Sequence, residues 1–143
     1  MPTVTPSHGT TCSSSWIGIY GFNNSDLIQT GTEQYASNRG DTYYTWWEIF
    51  PASQTQISTM TIHPGDQMHA SIQNHGNGTW TIQITDLTDN QSFTTTQTYS
   101  GPGTSAEWIE EAPMPGNTAT HNRRRRTKDP HPTLALEPRA AQA

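Results

Sequence analysis

Eight short runs rich in threonine, isoleucine, tryptophan and tyrosine, each closed by a cluster of turn formers, constrain this chain more than any other feature. Such runs fit strands and are too short and too β-branched for helices. They cover residues 15–20, 27–35, 43–50, 57–63, 68–74, 79–86, 92–99 and 106–111. Asn38-Arg39-Gly40-Asp41, Pro64-Gly65-Asp66, His75-Gly76-Asn77-Gly78 and Gly101-Pro102-Gly103 are among the punctuating turns. The 79–86 run alternates cleanly, with Trp80, Ile82 and Ile84 on one face and Thr79, Thr81, Gln83 and Thr85 on the other. No segment carries a helical period and no internal repeat occurs. The expected class is all-β, an antiparallel sandwich or barrel.

Charge divides the chain in two. Residues 1–122 hold ten acids and a single base, Arg39, a balance of −9. The remainder holds six bases, including Arg123, Arg124, Arg125 and Arg126, against Asp129 and Glu137, a balance of +4. The acidic, lysine-free body loses its charge as pH falls and keeps few cations to repel one another, which suits work in acid. Residues 1–114 are therefore expected to form one β-sandwich domain. Residues 115–143, basic and then rich in Pro and Ala, are expected to be a disordered tail. The four arginines suit nucleic acid or a targeting signal. The abrupt reversal of charge fits better with a solvated or out-of-frame extension, so no nucleic-acid partner is expected.

Several chemistries are set aside by pattern. Cys12 is the only cysteine, so an internal disulfide is excluded and no base marks it as a nucleophile. No run of about 18 apolar residues offers a membrane span, and Met1-Pro2-Thr3 does not open a signal peptide. His63, His69 and His75 are evenly spaced, but the Pro64-Gly65 turn breaks their register, so no metal site and no cofactor is expected. No HExxH, CxxC, phosphate loop or GxSxG setting is present. The sequons at Asn23, Asn77 and Asn90 arise readily by chance in so polar a chain.

What remains is a glutamine and a glutamate in apolar, aromatic frames: Gln29 in LIQTG (27–31) and Glu111 at the end of SAEWIEE (105–111). A carboxylate takes a proton from water, and a carboxamide donates to a developing oxyanion. Brought together, the two can hydrolyse a peptide bond without metal, serine or cysteine.

These segments resemble a known family. WIGIYG (16–21), LIQTG (27–31), YYTWWEIFP (43–51), the turn at 62–66 and AEWIEE (106–111) occur in the order and spacing of the glutamic peptidases, or eqolisins, the peptidase G1/A4 family. The resemblance implies a concanavalin A/lectin-like sandwich of two bent antiparallel sheets, an acid endopeptidase activity on polypeptides and secretion. It implies that Gln29 stabilises the oxyanion, that Glu111 is the general base and that Trp16, Tyr20 and Glu48 line the substrate cleft. Glu107, the earlier acid of its motif, is implied to be structural. Tyr20 stands where the family's motif carries aspartate, which changes the polarity expected of the cleft. Measured against the family, the chain is short at both ends, so an incomplete sandwich is expected, acting as a monomer. A competing reading is a non-catalytic module whose Trp16, Trp46 and Trp47 stack on sugar rings or bind peptide. A third is an inactive fragment.

Overall fold

A computed structural model describes residues 1, 11–20, 27–103, 105–111, 124–127 and 133–135. All its regular elements are strands: β1 (Thr11–Tyr20), β2 (Leu27–Ser37), β3 (Gly40–Phe50), β4 (Thr55–Gln56), β5 (Met68–Asn74), β6 (Thr79–Asp86), β7 (Gln91–Thr98), β8 (Ser105–Glu111), β9 (Arg124–Thr127) and β10 (Thr133–Ala135). They form two antiparallel sheets, one in the order β4-β3-β2-β1-β8-β9 and the other in the order β10-β5-β6-β7. The expected all-β sandwich is what the chain adopts.

Period-two alternation builds the core. Ile17 and Ile19 of β1, Ile28 of β2 and Ala106 of β8 meet Ala70, Ile72, Trp80, Ile82 and Ile84 of the second sheet. Burying each isoleucine contributes roughly 1.5–3 kcal/mol. Tyr99 ties the layers: its ring meets Trp80 edge-on at 5.5 Å and 77°, and its hydroxyl donates to the carbonyl of Ile19 at 3.4 Å. The β2–β3 hairpin closes at Ser37 and Gly40, where φ of +115° suits only glycine among ordinary residues.

Three expectations need correction. The run at 57–63 is not a strand. Ile57, Met60 and Ile62 are all buried in the core, yet their spacings of three and two break the strand period, and only Thr55 and Gln56 pair with β3. The segment's backbone is satisfied instead by a side chain: Gln91 Oε1 accepts from Thr61 N at 3.0 Å and Gln91 Nε2 donates to Thr61 O at 2.8 Å. Second, β1 starts at Thr11 rather than Ser15, because Cys12, Ser13 and Ser14 pair with Tyr35, Gln34 and Glu33. Third, disorder over 115–143 does not hold for β9 and β10. Arg124–Thr127 pairs with β8 and Thr133–Ala135 with β5, supplying the hydrogen bonds a sheet edge leaves open. The rest of that segment lies outside the described residues.

Candidate functional site

The six-stranded sheet has a second face, turned away from the core. Alternation sends Gln29, Gly31, Glu33 and Tyr35 of β2 to it. From the flanking strands come Trp16 and Gly18 of β1, Tyr44, Trp46 and Glu48 of β3, and Glu107 and Ile109 of β8, by register. Trp16, Trp46 and Ile109 bury one another there with Tyr44 alongside, a small apolar cluster separate from the main core.

Two rows cross this face. The first runs Glu48–Gln29–Gly18–Glu107. Gln29, 8% exposed, donates from Nε2 to Glu48 Oε2 at 3.1 Å. That bond fixes the amide and leaves a second N–H on the same nitrogen. A Cβ on Gly18 would stand 2.9 Å from Cζ3 of Trp16, which places the indole over the backbone between Gln29 and Glu107. Glu107 is 4% exposed. The second row runs Tyr44–Glu33–Ser14–Glu111. Glu111 thus lies four residues beyond Glu107 on β8, at a position of the same parity, on a strand that shares β1 as neighbour with the strand of Gln29.

The structure therefore joins Gln29 directly to Glu48 and sets Trp16 beside them, while it pairs the position of Glu111 with Ser14. Tyr20 pairs with Leu27 and Ser105 at the end of β1. Trp46 lies in the buried cluster of this face, whereas Trp47 packs against the main core. The three tryptophans offered for sugar stacking do not share one surface.

Sequence reasoning missed a group on the second row. Glu33 accepts from Gln54 Nε2 at 3.1 Å, and Tyr35 and Tyr44 stand beside it, close enough for its carboxylate to raise both phenols. The two tyrosine rings stack with centroids 6.1 Å apart and planes at 16°. Burial, then the neighbouring Glu33, pushes the Tyr44 hydroxyl well above its ordinary range; Glu33, then burial, raises Tyr35. The signal was available: counting in twos from Gln29 gives Gly31, Glu33 and Tyr35.

The three spaced histidines do not converge. His75 shares a 2.6 Å hydrogen bond with Thr81, and His63 lies 3.6 Å from Asp66 and 3.3 Å from Asp89 where two turns meet.

Comparison with known proteins follows the same lines. A family model described as the Peptidase A4 family matches residues 1–124. Aspergillopepsin-2 of Aspergillus niger is 30% identical over 105 residues, 70% of this chain and 37% of that protein. The chain thus spans little more than a third of the curated relative it matches. The crystal structure of aspergilloglutamic peptidase from the same organism superposes with a TM-score of 0.64 at 28% identity, covering 76% of this chain and 66% of that one. Scytalido-glutamic peptidase, solved with a transition-state analog inhibitor, gives a TM-score of 0.67 at 21% identity over 92% of this chain and 74% of that one, a likeness of fold.

Proposed function

Since the chain belongs to the peptidase A4 family, we propose that it is an acid endopeptidase in which Gln29 works with a glutamate of β8, and that this glutamate is Glu107, which shares the row of Gln29 across Gly18, in place of Glu111, which lies four residues farther along the strand. The observation that carries the reading is the Gln29–Glu48 hydrogen bond on the face that also bears Trp16. An amide held by a carboxylate keeps one N–H aimed and pre-organised, which is what oxyanion stabilisation needs.

The steps balance as simple acid–base hydrolysis. Glu107 takes a proton from water, and the water oxygen bonds to the scissile carbonyl carbon. The carbonyl oxygen gains negative charge and accepts from Gln29 Nε2. Glu107 then returns its proton to the departing amine nitrogen as the C–N bond breaks. No metal or cofactor enters the scheme. Trp16, Tyr20 and Glu48 contribute to the substrate side: the indole as a wall, Glu48 as the group that orients Gln29, and Tyr20 as a phenol where relatives of this motif carry an acid. We further infer work in acid and secretion, on the grounds that the body carries ten carboxylates and one base up to residue 122 and that its family resemblance points the same way.

The test is digestion of an unfolded protein substrate from pH 2 to 6 by the chain and by its Glu107→Gln and Gln29→Ala variants. Cleavage that disappears in both variants is the expected result. Cleavage that persists in both removes the dyad from consideration.

A further inference from the structure

Two of the three sequons lie among the described residues, and their surroundings differ. Asn77-Gly78-Thr79 carries the exposed turn between β5 and β6, and Asn90-Gln91-Ser92 leads from the next turn into β7. The Asn77 turn is held from within. Asn77 Oδ1 accepts from Thr79 N at 3.1 Å and also from the Thr79 hydroxyl. Asn74 Oδ1 accepts from Gly76 N at 2.9 Å, and Thr79 O accepts from His75 N at 3.1 Å. Gly76 and Gly78 take φ of +79° and +83°, the left-handed region that glycine enters without strain. All these partners lie between residues 74 and 79. The turn therefore forms from local chemistry and is open to a newly made chain before the sandwich closes.

Asn90 is built differently. The Ser92 hydroxyl of its sequon shares a 3.1 Å hydrogen bond with Thr85, seven residues away. Gln91 is bonded to Thr61, thirty residues away. These groups are committed to the finished fold and not to their own asparagine. The sequon at Asn23 lies outside the described residues.

The difference has chemical weight. A glycan acceptor of this kind needs an accessible carboxamide nitrogen and a hydroxyl two residues on. In the Asn77 turn that hydroxyl bonds to the carboxamide oxygen. The side chain is exposed, and its Nδ2 donates no hydrogen bond among the described residues. The turn belongs to the four-stranded sheet, whose inner face packs on the core side of the other sheet. The candidate site is on the far side of that second sheet. A bulky group at Asn77 thus stands a full layer, about 10 Å, away from it.

We propose that Asn77 is the acceptor of an N-linked oligosaccharide when the chain passes through a secretory compartment. The inference rests on the reading of secretion and adds a site to it. Asn77 Nδ2 gives up one proton and bonds to the anomeric carbon of a lipid-pyrophosphate-linked oligosaccharide. The bond from that carbon to the phosphate oxygen breaks, and the lipid pyrophosphate leaves with the electron pair. The host's oligosaccharide transferase supplies the catalysis.

The test secretes the full chain from eukaryotic host cells behind a cleavable leader. Peptide masses are compared before and after peptide:N-glycosidase, which removes the oligosaccharide and leaves aspartate. The mass before treatment separates the glycan from spontaneous deamidation at Asn77-Gly78. Asn77 is expected to be occupied in most secreted copies, and more fully than Asn90. Asn77→Gln is expected to abolish the glycopeptide, as is Thr79→Val, which keeps the shape and removes the hydroxyl. Thr79→Ser is expected to keep it. A secreted chain bare at Asn77, a glycan there that survives Thr79→Val, or fuller occupancy of Asn90 than of Asn77 overturns the proposal. Because the leader supplies the compartment, those results leave the secretion reading standing. Native protein found only inside its source cells sinks that reading and leaves the acceptor chemistry intact.

Discussion

Glu48 decides how Gln29 presents its amide, because it accepts one of the two N–H groups on Nε2. Removing the acceptor in Glu48→Ala lets the amide rotate without touching the reacting atoms. Turnover is expected to fall about tenfold with little change in KM, against about 10²–10³ for Gln29→Ala. Steady-state kinetics on a quenched fluorescent peptide distinguishes the two, and an unchanged kcat in Glu48→Ala refutes the orienting role. A second residue tests the core side of β3. Thr45 is fully buried and its hydroxyl has no hydrogen-bond partner among the described residues. Thr45→Val keeps the shape and removes an unsatisfied polar atom, so stability is expected to rise by about 1 kcal/mol, read from urea denaturation. At this scale the sequence was only partly legible. LIQTG marks Gln29 by resemblance, but nothing in the order of residues announces that Gln29 meets Glu48. That contact exists because β2 and β3 pair with one register, set by the two-residue turn that ends at Gly40.

Among the elements, the β2–β3 hairpin holds the most distinctive electrostatics. Tyr35 and Tyr44 stack across it beside Glu33, and both hydroxyls are shifted upward. A raised pKa means that the folded state keeps the proton longer than the unfolded state does. The corresponding stability is complete below the unfolded tyrosine value of about 10 and is lost as pH climbs past it. Alkaline titration followed by tyrosinate absorbance is therefore expected to show these two of the five tyrosines ionising later than free tyrosine. Tyr44→Phe should remove one of the delayed steps; a titration in which all five ionise together near pH 10 contradicts the cluster. Element boundaries were most legible where alternation is strict: β5 and β6 fall where the apolar period places them. The 57–63 segment misled because its isoleucines and methionine are core residues on irregular backbone. Composition reports burial there, while the strand ladder is replaced by the side chain of Gln91.

For the whole molecule, the two faces of the six-stranded sheet divide the labour. One face is buried against the second sheet and supplies stability; the other carries the candidate site. Ile82, fully buried at the layer interface, tests the first. Ile82→Ala is expected to cost about 2–5 kcal/mol, a large share of the roughly 5–15 kcal/mol typical of a domain, and thermal unfolding measures it. The division was legible in outline, since the apolar stripes define a sandwich. Which face keeps the polar residues close enough to act depends on strand order, and strand order is a long-range property that no local period encodes.

That order also carries a timetable. β1 lies between β2 and β8, so the strand of Gln29 and the strand of Glu107 become near neighbours only when the eighth strand docks. Synthesis delivers Gln29 five strands ahead of Glu107, at roughly 5–20 residues per second. Until the late strand finds its place, the growing polypeptide holds half of its proposed dyad. On the proposed reading, the power to cut is therefore acquired last, after the strands of both sheets that precede β8 have been made.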